Sequence, residues 1–217
     1  MKFRIVSIAA AALLAACGSQ PPAPPWRANA ADALQRYSIA YFKGDARTES
    51  ADFDRARSEL ASTGQAGMVA RAELTRCAVQ VASLVFEPCQ GFERLRRDAP
   101  PAERAYADYI AGRITPADVP LVPEQHRAIA AGREDVGTLQ AIGDPTSRLV
   151  AAGVLLRTGR ATPQVVQVAV DTESQQGWRR PLLAWLGVQV QRAERSGHKD
   201  EAERIRRRMA LVTEGPR

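Results

Sequence analysis

The chain has 217 residues, with 30 Lys and Arg against 24 Asp and Glu, for a formal charge of +6 at pH 7. Its residues are rich in Ala, Leu, Arg, Glu and Gln and show no long alternation of β-branched residues, which excludes a sheet-based fold and predicts an all-α chain. The pI of about 9.7 invites a nucleic-acid reading, but all the basic residues except Lys2, Lys43 and Lys199 are arginines spread along the whole chain, as on solvated helix faces.

The first stretch sets the compartment. Met1-Lys2-Phe3-Arg4 is a short basic start, and Ile5 to Ala16 is an apolar run broken only by Ser7. The run is about a dozen residues, short of the roughly 20 that span a bilayer. It closes on Leu14-Ala15-Ala16-Cys17, which resembles the lipobox of bacterial lipoproteins. The resemblance implies a signal peptide over residues 1–16. It also implies that Cys17 is diacylated, becomes the mature N-terminus on cleavage and is then N-acylated, in palmitate-type chemistry. Gly18 in place of an aspartate implies sorting to the outer membrane, facing the periplasm. In that compartment a nucleic-acid partner is not expected.

Residues 17–25 follow as a lipidated cysteine and a proline-rich tether, Gln20-Pro21-Pro22-Ala23-Pro24-Pro25. Proline favours the extended polyproline conformation, so the tether holds the body roughly 25 Å from the lipid. Residues 26–217 form the expected single all-helical domain. Leu34, Tyr37 and Tyr41 mark one face of a first helix that stops at Gly44. A second helix, about Glu49 to Ser62, carries Phe53, Ala56 and Leu60 inward. It is expected to pair Asp54 with Arg57, and Asp52 with Arg55, on its solvated side. Gly64 and Gly67 precede a third helix, whose Leu74, Cys77, Ala78 and Val81 form an apolar stripe.

Cys77 and Cys89 are the only cysteines besides the lipidated Cys17, and an exported chain favours a disulfide between them. A helix unbroken to Phe86 would carry the backbone about 13.5 Å beyond Cys77. The Cα atoms of a disulfide lie within about 7 Å. The third helix is therefore expected to end near Ser83, with Leu84 to Pro88 folding back along it.

The second half repeats a local pattern. Gly112, Thr115 and Pro116 are echoed by Gly159, Thr162 and Pro163, and Gly143-Asp144-Pro145 restarts a helix in the same way. Repetition of helix, glycine, cap and proline predicts stacked helical hairpins, either an α-solenoid or an irregular helical bundle. Ala193 to Ala202, with Gly197 and Asp200-Glu201-Ala202, resembles the turn between the helices of a tetratricopeptide repeat, and Ala40 to Asp45 is a fainter copy. Trp178, Leu182, Trp185, Leu186 and Val190 form an apolar face for Ile205 and Met209 to cover. Trp185 is expected in the core, and Trp178, at the helix start, is the candidate partner-binding aromatic.

Catalytic patterns are sparse. His126 and His198 are the only histidines and stand at no metal-ligand spacing, and no Gly-x-Ser-x-Gly elbow or phosphate-binding glycine loop occurs. Asp171 and Glu173 point to different faces of a helix. Arg204, Arg206, Arg207 and Arg208 are offset by Asp200, Glu201 and Glu203, with i,i+4 pairs expected from Asp200 to Arg204 and from Glu203 to Arg207. The expectation is a non-enzymatic interaction or scaffold module without cofactor or metal, anchored to a membrane by lipid and engaging a protein partner of the envelope. The alternatives are a structural or assembly component of an envelope or secretion machine, and a cell-wall hydrolase using a carboxylate pair.

Overall fold

The computed structural model describes residues 24–214; the signal segment 1–16, Cys17 and the tether up to Ala23 lie outside the described residues. Pro25 occupies the first position of helix α1 (Pro25–Lys43), where its missing N–H costs nothing, so the tether ends one residue earlier than its composition implies. Gly44, at φ 81°, closes α1 in the left-handed conformation, and Asp45 caps α2 (Ala46–Ala61) by accepting from Thr48 N at 3.1 Å. Tyr37, Tyr41, Phe53, Ala56 and Leu60 are buried as their spacing predicts, and α1 and α2 pack as a helical hairpin. The polar side of α2 behaves differently. Asp52 reaches across to Arg36 of α1 at 2.9 Å, and Arg57 reaches Glu73 at 3.1 Å, so both bridges tie helices together instead of lying along one.

Helix α3 (Ala66–Ala82) is the central element. It packs against α1, α2, α4 (Gln90–Glu93), α5 (Pro101–Ile110) and α8 (Pro145–Arg157). Gly67 lies in its first turn and does not break it. Leu74, Cys77, Ala78 and Val81 are all buried. The helix ends at Ala82, and Leu84 takes φ 61°, which lets Val85 N bond back to Gln80 O at 2.9 Å. That reversal brings Cys89 onto Cys77. The two form a disulfide with a Cα–Cα distance of 5.8 Å, inside the range that the early helix end was expected to satisfy.

The chain between α5 and α8 is made of short pieces. Pro116–Leu121 is a 3-10 helix interrupted by Pro120, followed by α6 (Glu124–Ala130) and α7 (Val136–Gln140). The expected Thr115 cap is not made: its hydroxyl donates to the Asp118 carboxylate at 2.7 Å instead of accepting a backbone N–H. Asp144 and Thr162 do cap α8 and α9 (Pro163–Gln176), from Ser147 N at 2.7 Å and Val165 N at 3.2 Å. Helix α8 crosses α3 so closely at Gly153 that an added Cβ would overlap the Val81 carbonyl.

Helices α10 (Arg179–Arg195) and α11 (Lys199–Glu214) form the second hairpin, with Ile205 and Met209 against Val190 and Ala193. Arg206 of α11 pairs with Glu194 and His198 with Glu201, whereas no ion pair joins Asp200 to Arg204 or Glu203 to Arg207. The described residues form helices without a strand, and the described segment begins and ends in a helical hairpin. Yet α10 also packs on α1, and α3 on α8, so contact is not confined to successive hairpins as in a solenoid. This is the pairing of an irregular bundle with one main core. Among the described residues no helix is long and apolar enough to cross a membrane.

Candidate functional site

The tryptophans are structural. Trp185 is fully buried, and its indole N–H donates to Ala82 O at 2.9 Å, satisfying a carbonyl in the last turn of α3. Trp178, the candidate binding aromatic, is 8% exposed and stacks on Phe42 with ring centroids 4.4 Å apart. Its face is therefore occupied from within. Helix α10 is held against the first hairpin at the same place. Arg180 donates to Glu49 at 3.0 Å and lies over the Tyr41 ring at 4.1 Å, so the helix start packs inward.

The two histidines lie in contrasting surroundings. His126 is buried, with the Tyr109 hydroxyl 3.3 Å from its Nδ1 and the Tyr106 ring 5.7 Å away. Burial lowers its pKa to about 4, against a smaller opposing pull from Asp144, so the ring is neutral at pH 7. His198 is exposed in the turn between α10 and α11. Among the described residues no three His, Cys, Asp or Glu side chains are grouped to hold a metal ion. Asp171 and Glu173 face opposite ways: Asp171 is exposed and accepts from Gln167, and Glu173 is fully buried with neither carboxyl oxygen partnered. Burial pushes the Glu173 pKa up to about 10, which keeps it protonated at neutral pH.

The disulfide positions a polar cluster on the other side of α3. Glu73, nearly buried, accepts from Arg57 and is paired with Arg76, whose guanidinium lies over the Phe53 ring at 4.5 Å. Cys89 Sγ lies 3.7 Å from the Glu73 carbonyl oxygen, and Gly91 passes so close to the carboxylate that a Cβ there would strike it. Every oxygen of this carboxylate is occupied. The cluster lines a shallow polar depression of about 470 Å³ whose carboxylate is already paired.

An open groove remains on the face where α3, α5, α6 and α8 meet. It encloses about 550 Å³. Leu74, Ala78 and Val79 of α3, Val122 after the 3-10 helix, and Val150 of α8 make a buried apolar floor. At the mouth stand Leu121, 41% exposed, and the exposed arginines Arg71 and Arg127. Arg127 is oriented by donating its Nε–H to Val122 O at 3.0 Å. Glu103, 6% exposed, lines the groove from the first turn of α5. Its Oε1 accepts from Arg71 at 2.6 Å, and its Oε2 is buried with no hydrogen-bond partner. Nothing in the one-dimensional pattern marks this groove: its residues come from four separate segments, and Glu103 reads as an ordinary first-turn acid.

Compared with protein-family models, with curated proteins and with solved structures, the chain matches none.

Proposed function

We propose that this chain is a cell-envelope lipoprotein, held at a membrane through acylated Cys17, whose helical body is a non-enzymatic module that engages a protein partner. The lipobox-like Leu14-Ala15-Ala16-Cys17 supports the anchor, and Gly18 supports an outer-membrane location. The observation that carries the binding role is the groove. It is a concave opening above an apolar floor, with Leu121 exposed at its mouth, in a bundle whose other large apolar side chains are mostly packed away. The cationic mouth and apolar floor suit a polypeptide segment better than a sugar polymer.

A photo-crosslinking residue placed at Leu121 in intact cells tests this reading, with the same residue at Leu211, an apolar position 70% exposed on α11, as the comparison. The expected result is a discrete protein crosslink from position 121 that is absent from position 211. No crosslink at 121, or the same pattern from both positions, contradicts the groove as the docking face.

A further inference from the structure

We propose that the outer face of α11 rests on an anionic phospholipid surface, with Leu211 among the headgroups and Arg204, Arg207 and Arg208 on their phosphates. The helix packs on α10 through Ile205 and Met209, and Ala202 is its one buried residue. Its other side is uncovered. Leu211 is 70% exposed there, more than any other large apolar side chain among the described residues. A helical residue shares its face with those three, four and seven positions away. Leu211 therefore stands in line with Arg208, Arg207 and Arg204, and the four span two turns, about 10.5 Å.

The charges of this face are not neutralised from within. Arg204 and Arg207 are exposed and join no ion pair among the described residues. Arg208 donates to the neutral Ser174 hydroxyl at 3.1 Å. Arg206, outside the line, is the arginine that Glu194 takes up. The helix dipole favours the acids Asp200 and Glu201 in the first turn and arginines further along. It does not explain a leucine held in water among those arginines.

The arrangement selects its partner by charge and shape. A second copy docking here about a two-fold axis would set arginine against arginine. A peptide that needs a cleft finds a single convex ridge. A lipid surface meets both features, because its phosphates accept from the guanidinium groups while the leucine reaches the acyl boundary. Each arginine near an anionic surface strengthens attachment about fivefold, so three give on the order of a hundredfold. Asp200 and Glu214 flank the face at its two ends, so the attachment is expected to be weak and sensitive to salt. The inference uses neither the groove nor the acylated cysteine.

The test protein is the full mature polypeptide, made without its leader and carrying Cys17→Ser, so that no acyl chain is attached and every described residue is kept. Its sedimentation is measured with vesicles of phosphatidylethanolamine and phosphatidylglycerol, and with vesicles of phosphatidylcholine alone. Binding to the anionic vesicles is expected to be at least about tenfold tighter and to fall as salt is raised. Leu211→Ser should weaken it about fivefold or more, and Arg204→Gln with Arg207→Gln on the order of twentyfold. Removing the same charge elsewhere, by Arg47→Gln with Arg55→Gln on α2, should leave it within about twofold. All four sites are exposed, and matching urea curves confirm that the fold is kept. No binding to anionic vesicles, equal binding to neutral ones, or equal losses from both arginine pairs overturns the proposal. Heparin bound as tightly as the vesicles, with no loss from Leu211→Ser, shows a general polyanion patch and also overturns it. So does a dimer of the free protein that Leu211→Ser disperses. None of these results bears on the crosslink from Leu121.

Discussion

Trp178 stacks on Phe42 with ring centroids 4.4 Å apart, so the start of the last hairpin is seated against the end of the first helix. The contact joins opposite ends of the described chain, and Arg180–Glu49 and Arg179–Lys43 O reinforce it on either side. The contact closes the bundle by seating α10 on α1.

Replacing Trp178 by alanine removes that stack and leaves Phe42 without its partner. The expected cost is about 3–5 kcal/mol of stability, the range for deleting a buried aromatic. Urea or thermal unfolding of the mature protein reads it directly. A change under about 1 kcal/mol, within the range of ordinary surface substitutions, would show that the ring is not structural.

Cys77 and Cys89 should be oxidised in the exported protein. Thiol labelling of the denatured, unreduced chain is expected to find neither cysteine free. Cys89→Ser is expected to lose about 3 kcal/mol, the chain-entropy value for a loop of this size, and to loosen Gly91 from its seat over Glu73. Two labelled thiols in the native protein would contradict the bridge.

Two buried groups set the pH dependence of stability in opposite directions. His126 has its folded pKa lowered from 6.5 to about 4, so its contribution is intact above 6.5 and is lost as pH falls through that interval. Glu173 has its folded pKa raised from 4.5 to about 10, so its contribution is intact below 4.5 and is lost as pH rises. Between pH 4.5 and 6.5 the two slopes cancel. Stability is expected to plateau there, fall on the acid side from His126 and fall on the alkaline side from Glu173. At pH 7 the buried carboxyl costs about 3 kcal/mol relative to a neutral side chain, so Glu173→Gln should stabilise the protein by that order and remove the alkaline decline. A variant no more stable than the parent at pH 7 to 8 would show that Glu173 finds a partner in solution.

Gly153 is fixed by the crossing of α8 over α3. Gly153→Ala gains helix propensity of about 1 kcal/mol, but its Cβ meets the Val81 carbonyl, and overpacking costs about 1–3 kcal/mol. Net destabilisation is expected in urea melts, and a stabilised variant would mean that the two helices can separate without loss.

Local signals in the sequence carried the elements well and their assembly poorly. The stripes around Tyr37, Phe53 and Leu74, the caps at Asp144 and Thr162, and the early end of α3 demanded by Cys77 and Cys89 all follow from spacing within a few turns. The positive φ of Leu84 was not legible, because no glycine marks it. Spacing predicts surface pairs for Asp52 and Arg57 within α2, since an i,i+3 spacing looks the same whether or not another helix lies nearby. Its place at a helix start makes Trp178 the candidate binding aromatic in the sequence, and only the return of α10 onto Phe42 buries it. The groove was invisible for the same reason. Glu103 becomes unusual only when α3, α6 and α8 enclose it.

The anchor is the claim on which location, partner and tether all depend, and the mass of the N-terminal peptide tests it most directly. Protein extracted from membranes, digested and analysed by mass spectrometry is expected to yield a peptide beginning at Cys17, carrying diacylglycerol on sulfur and an acyl chain on its amino group. Cys17→Ser should accumulate instead as a precursor beginning at Met1. An unmodified Cys17, or normal maturation of the serine variant, would contradict the account.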